Sequence, residues 1–166
     1  MRKAKTRLGG EAARLFAEYL GKIEETVTLL TPEQVWWRAN ERSNSAGNLL
    51  LHLIGNLSQW VLAGLGGEPF ERRRAAEFAA REGAPAAELL AALRAVVGRC
   101  STIAARVDED ALAARHAIQG YRRDGFGVLL HVVEHMAYHT GQIVFLGKQL
   151  AGAQVEIEFY PHLKGR

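Results

Sequence analysis

Residues Ala46 to Leu65 are apolar on nearly every side of any helix they could form. Leu49, Leu50, Leu51, Leu53, Ile54, Leu57, Trp60, Val61 and Leu62 leave no polar face wide enough for solvent. A helix that is apolar all round must be enclosed by other elements, so this stretch is expected at the centre of a bundle. Ser43, Asn44 or Ser45 can cap its start, and Gly66-Gly67 ends it.

Three further helical stretches can supply the enclosure. From about Glu11 to Leu30, Ala12, Phe16, Tyr19, Ile23, Val27 and Leu30 recur at three- and four-residue steps and make one stripe. From about Pro85 to Val107, the inward stripe is Leu89, Leu93, Val96, Val97, Cys100, Ile103, Ala104 and Val107, with Pro85 suited to the first turn. From about Phe126 to Leu150, Val128, Leu129, Val132, Val133, Met136, Ile143, Val144 and Leu146 supply apolar surface, and Asp124 is a candidate cap. Thr31-Pro32 with Gln34 reads as a short capped turn next to Trp36 and Trp37, and Ala75 to Arg81 as a short helix. The tail from Val155 to Tyr160 alternates weakly and reads as extended or irregular. With only four prolines and no convincing strand series, the expectation is an all-α four-helix bundle, one domain over residues 1–166. The connection between the second and third stretches is long, so up-down-up-down is only one of the possible chain orders.

Charge and cysteine narrow the function classes. The net charge is +3, and the densest basic cluster, Arg72-Arg73-Arg74, is interrupted by Glu71, Glu77 and Glu82. A solvated helix face explains that pattern better than a nucleic-acid stripe. One cysteine, Cys100, excludes an internal disulfide, suits a reducing compartment, and falls on an apolar stripe as an inert core thiol. No apolar run reaches the ~18 residues of a membrane span, and no signal-peptide stretch follows the basic residues 1–7. The expected setting is cytoplasmic, with no membrane and no nucleic-acid partner.

The histidines carry the chemistry. His131, His135 and His139 lie at steps of four in the last helical stretch. Four residues turn about 400°, so His135 and His139 share one helix face, and His131 drifts by a further ~40°. Two imidazoles on one rigid face can reach one metal ion, but a third ligand must come from elsewhere. His52 is the natural donor: it sits among leucines in the central helix, where a polar group needs a partner. Asn48 and Asn56 lie one turn to either side of it, with Gln59 nearby. Spacing alone leaves metal binding and ordinary core hydrogen bonding both open. Asn48, Asn56, His131 and Gln142 are expected around the ligands rather than among them. His116 reads as an ordinary residue of a polar connection, and His162 in the tail is unplaced. Glu134 and Tyr138 share a neighbouring face, explained by solvent or helix contacts. Zinc proteases carry a glutamate directly after the first histidine of their pair as general base; here Met136 follows His135 and Glu134 precedes it, so a metalloprotease is disfavoured. No phosphate-cradling glycine loop and no pair of carboxylates stands out.

Taken together, "NLLLHLIGNLSQW" around His52 and "HVVEHMAYHTGQI" around His135 and His139 resemble the DinB superfamily. H-x-x-x-H-x-G-Q near the end of the last long helix is typical of that group, and Glu77-Phe78 after the arginine cluster looks like a subfamily of unknown function. The resemblance covers about residues 10–150. It implies a four-helix bundle of unusual helix order with a long crossover. It also implies a divalent metal on His52, His135 and His139, and a homodimer, for which the apolar, tryptophan-rich surroundings of the second helix offer a surface. Some relatives are thiol-dependent S-transferases, one isomerises maleylpyruvate, and many have no established activity.

Three neutral imidazoles leave coordination positions open, and zinc, nickel or ferrous iron would suit them. Such an ion can polarise a substrate or lower the pKa of a water or thiol. The expectation is a metal-dependent enzyme, a thiol S-transferase or a small-molecule hydrolase taking a low-molecular-weight thiol or other small substrate. Any chemistry is expected at an open side of the metal, beside Asn48, Asn56 and Gln142. The alternative is a non-catalytic dimeric bundle in which the metal only ties two helices together.

Overall fold

The computed structural model describes residues 5–152 and 156–160. Most of the chain is helical. The long helices are α1 (Arg7–Val27), α3 (Ala46–Leu57), α5 (Ala86–Ala104) and α7 (Gly125–Leu150). Shorter ones are α2 (Pro32–Trp36), α4 (Arg74–Ala79) and α6 (Glu109–Ala113). The apolar stretch continues past α3 as a π-helical segment, Ser58–Ala63, where Gly64 N–H bonds to the Gln59 carbonyl five residues back. Gly67, at φ +73°, takes the left-handed conformation just beyond it.

Each long helix packs on two others: α1 against α5 and α7, and α3 against the same two. The core they enclose contains Phe16, Ile23, Leu49, Leu50, Leu53, Leu57, Leu93, Leu129, Met136 and Ile143, all at 1% exposure or less. The expected caps are present. Ser45 opens α3 in a reciprocal box with Asn48, Thr31 opens α2 in another with Gln34, and Asp124 accepts from Gly127 N–H at the start of α7. Gln34 also donates to the Leu150 carbonyl (2.7 Å), so α2 closes the end of α7. Pro85 stands one residue before α5 rather than inside its first turn.

The structure adds an element that the sequence reading passed over. Arg115–Ile118 (β1) and Tyr121–Asp124 (β2) form an antiparallel hairpin, with Ile118 opposite Tyr121. Gln119 and Gly120 both have positive φ, 53° and 78°, as the tightest two-residue hairpin turns require. Each strand is only four residues long and mostly exposed, so no alternating apolar pattern marked it. His116 therefore sits in a strand, not in a loose connection. Residues 156–160 form neither helix nor strand, and Val155 and His162 lie outside the described residues. No helix among the described residues is long and apolar enough to cross a membrane.

Candidate metal centre and its cleft

Helices α3 and α7 pack together at the level of their histidines. His52 (3% exposed) projects from the middle of α3, while His135 and His139 lie one turn apart on α7, half-buried and 8% exposed respectively. Ring centroids are 5.0 Å apart for His52–His135, 4.9 Å for His52–His139 and 4.5 Å for His135–His139. One ring nitrogen from each lies within 4.8 Å of the other two. His52 Nε2 and His135 Nε2 are 2.9 Å apart. A divalent ion at roughly 2.0–2.1 Å from each imidazole nitrogen would set those nitrogens about 3 Å apart, so the three side chains could hold one ion without large rearrangement.

The outward nitrogens support that fit. His52 Nδ1 is 2.9 Å from Glu77 Oε2 and 3.1 Å from Arg72 Nη2. That guanidinium nitrogen already donates to Glu77 Oε2 at 2.8 Å, and a carboxylate can only accept, so the shorter contact puts the proton on Nδ1 and leaves Nε2 bare. His139 Nδ1 is 2.7 Å from Gln142 Oε1, which leaves its Nε2 bare by the same logic. Burial, reinforced by the neighbouring histidines and Arg72, pushes His135 down to about 3. Burial also lowers His139, the Gln142 bond opposing it and His52 adding to it. Neutral imidazoles with free lone pairs converging on one point are what a metal requires.

Glu77 is the residue the sequence reading misplaced. Arg72 and Glu77 are not a solvated face: their side chains are 4% and 10% exposed. Arg72 grips the carboxylate in a fork, Nε to Oε1 at 2.7 Å and Nη2 to Oε2 at 2.8 Å. Burial alone would raise the Glu77 carboxyl, but the hydrogen bonds from His52 and Arg72 prevail and hold it below the usual range. The carboxylate fits because Gly55 lies beneath it; a Cβ there would come within 2.1 Å of Glu77 Oε1. A glycine one turn beyond His52 in an otherwise leucine-rich helix was the available signal.

The expected surrounding residues divide. Gln142 orients His139 directly. Asn48 stands behind Glu77: its Nδ2 donates to the Glu77 and Ala80 carbonyls at 2.8 and 2.9 Å. Arg38 Nη2 donates to the Phe78 and Ala80 carbonyls and to Asn48 Oδ1, so the two residues pin α4 and with it the Glu77 carboxylate. Asn56 is buried and lines the cleft next to the triad. His131 stacks at 4.2 Å on Trp60 and lies 5.3 Å from His135, outside the converging set. Trp60 is buried and Trp37 is 43% exposed. Glu134 and Tyr138 face solvent, as expected. Cys100 is fully buried, and burial pushes its thiol up to about 12, so it is inert.

Two cavities flank the centre. One of about 170 Å³ is lined by His52 and His135 themselves, with Asn56, Trp60 and His131. Another of about 510 Å³ touches Gln142, Tyr138 and Phe145 but no triad histidine, so the smaller one is the approach to the ligands.

Comparison with known proteins gives a consistent picture. Two crystal structures share the fold: a DinB-like protein from Bacillus subtilis (17% identity, TM-score 0.67, covering 90% of this chain and 97% of that one) and a DinB-like protein from Bacillus cereus (16% identity, TM-score 0.66, covering 89% and 94%). No curated protein matches the sequence. The family model described as mycothiol-S-transferase matches residues 13–152. With the histidine-bearing helices and most of the chain inside that match, this protein belongs to the mycothiol-S-transferase family of the DinB superfamily.

Proposed function

We propose that this chain is a metal-dependent thiol S-transferase whose divalent ion is held by His52, His135 and His139. The observation that carries the reading is the convergence of three imidazole nitrogens beside an open cleft, with two outer nitrogens fixed by Glu77 and Gln142. A divalent ion at this point supplies Lewis acidity that lowers a thiol's pKa and favours the thiolate at neutral pH. Zinc, nickel and ferrous iron all suit imidazole ligands. Glu77 keeps the proton on His52 Nδ1, and Gln142 does the same for His139, so both rings present lone pairs inward. Burial keeps His135 and His139 neutral. Trp60 and His131 wall the cleft beside the ligands. Glu77 is committed to Arg72 and His52, and among the described residues no carboxylate lines the cleft, which favours a thiol nucleophile over carboxylate-assisted hydrolysis. The test supplies metal-loaded protein with mycothiol and other low-molecular-weight thiols, each with a panel of electrophiles. Thioether formation that disappears on chelation and returns with metal is the expected result. Turnover unaffected by chelation, or none with any thiol, would overturn the reading.

The helix contacts support a four-helix bundle of DinB type, with residues 64–85 as its long connection. We also read the protein as a homodimer. The exposed apolar residues Phe126, Leu130, Tyr138 and Phe145 along α7 support this, where the sequence pointed to the surroundings of the second helix. Light scattering at about twice 18.3 kDa is expected; a monomer across a wide concentration range would refute it.

A further inference from the structure

The cleft in front of the triad is cationic. Arg72, Arg74 and Arg123 line the cavity of about 170 Å³, and Arg72 and Arg74 also line an adjoining one of about 520 Å³. Among the described residues no aspartate or glutamate lines either cavity. Some exposed arginines elsewhere in the chain are held by carboxylates, Arg14 by Glu11 and Glu18, Arg94 by Glu24 and Arg99 by Glu68. Among the described residues Arg74 and Arg123 have no carboxylate partner.

Both are nonetheless held in place. The Arg74 guanidinium lies 4.9 Å over the Phe78 ring, and Phe78 is 4.6 Å from the His52 ring. The Arg123 guanidinium lies 5.8 Å over Tyr121, which leads through Trp60 and His131 to His135. Stacking occupies a guanidinium's face and leaves its edge N–H donors free for an anion. The hairpin bearing Arg123 is tied to the π-helical segment by a Gln119–Gln59 hydrogen bond. Trp60 lines the same cleft, and its buried Nε1 has no acceptor among the described residues. Guanidinium donors with no carboxylate to pair them suit an anionic acceptor brought by a ligand.

We infer that one substrate of this site is a small organic anion, gripped at a carboxylate or phosphate by Arg74 and Arg123 while its other end lies at the histidine triad. This rests on the metal-centre reading above and assigns the substrate's charge.

The test uses the full chain in its metal-loaded form, with succinate and glycerol phosphate as probes and succinamide and glycerol as neutral controls. Binding is followed by calorimetry and by the indole N–H resonance of Trp60, assigned with Trp60→Phe. At least one anion should bind saturably and shift that resonance, and the neutral controls should not; which anion binds more tightly distinguishes carboxylate from phosphate. Arg74→Gln with Arg123→Gln should weaken binding at least tenfold. Arg74→Lys with Arg123→Lys should retain part of it, and Arg122→Gln, outside the cleft, should leave it unchanged. Equal binding of a neutral control, no binding of either anion, or binding by the double Gln variant within twofold of wild type would overturn the inference. The last result would put the anion on the metal alone. Anion binding without thiol transfer sinks the S-transferase reading and leaves this one standing; thiol transfer without anion binding does the reverse.

Discussion

Replacing Glu77 tests the least obvious part of the site. In Glu77→Ala, the Arg72 guanidinium, with its side chain 4% exposed, loses a two-pronged partner at 2.7 and 2.8 Å. Leaving one buried charge unpaired typically costs about 3–5 kcal/mol. His52 Nδ1 also loses its acceptor, and loss of such an outer contact typically lowers metal affinity roughly 10–100-fold. The two effects can be separated. Arg72→Met combined with Glu77→Leu removes both charges, so stability should recover toward wild type while metal affinity stays low. Glu77→Gln keeps an acceptor for His52 and should retain more metal affinity than Glu77→Ala. Urea unfolding of metal-free protein gives the stability, and competition with a chromophoric chelator gives the affinity. Glu77→Ala within about 1 kcal/mol of wild type, a third or less of the expected cost, would show that the buried pair contributes little. Full metal affinity in the double variant would show that Glu77 serves only to neutralise Arg72.

Ala replacement of His52, His135 or His139 should each sharply reduce the metal content of tag-free protein measured by mass spectrometry, whereas His116→Ala should not; a triple variant that retains metal would refute the ligand set. His135 is held down to about 3 in the folded state, against about 6.5 unfolded, so the unfolded chain takes up its proton first. Stability of the metal-free protein should therefore be full above pH 7 and fall as the pH drops from about 6.5 toward 3; urea midpoints that are flat between pH 7 and 5 would contradict this. Gly55→Ala places a methyl 2.1 Å from Glu77 Oε1 and should lower both stability and metal affinity. Gly21→Ala in α1 meets nothing within 4 Å and should stabilise by about 0.5–1 kcal/mol, read as a higher urea midpoint; the opposite ranking of the two glycines would refute the close-approach argument.

Local patterns in the sequence specified what depends on near neighbours along the chain. The four long helices follow from apolar periodicity, the Ser45, Thr31 and Asp124 caps from side chains three residues away, and the shared face of His135 and His139 from the turn of a helix. His52 was legible because a polar residue amid leucines needs a partner. The hairpin was not, because two four-residue exposed strands bury too little to leave a pattern. Nor were Arg72 and Glu77. In sequence they belong to a charged, arginine-rich stretch like any solvated face, and burying such charges is unfavourable until a partner geometry exists. That geometry arises only when Asn48 and Arg38 pin residues 77–80 against α3 and Gly55 leaves room for the carboxylate. Chain-local information sets which faces are apolar, whereas pairing a buried charge depends on elements that meet only on folding. Tertiary structure therefore decided which of the polar residues orient the histidines and which cations line their approach.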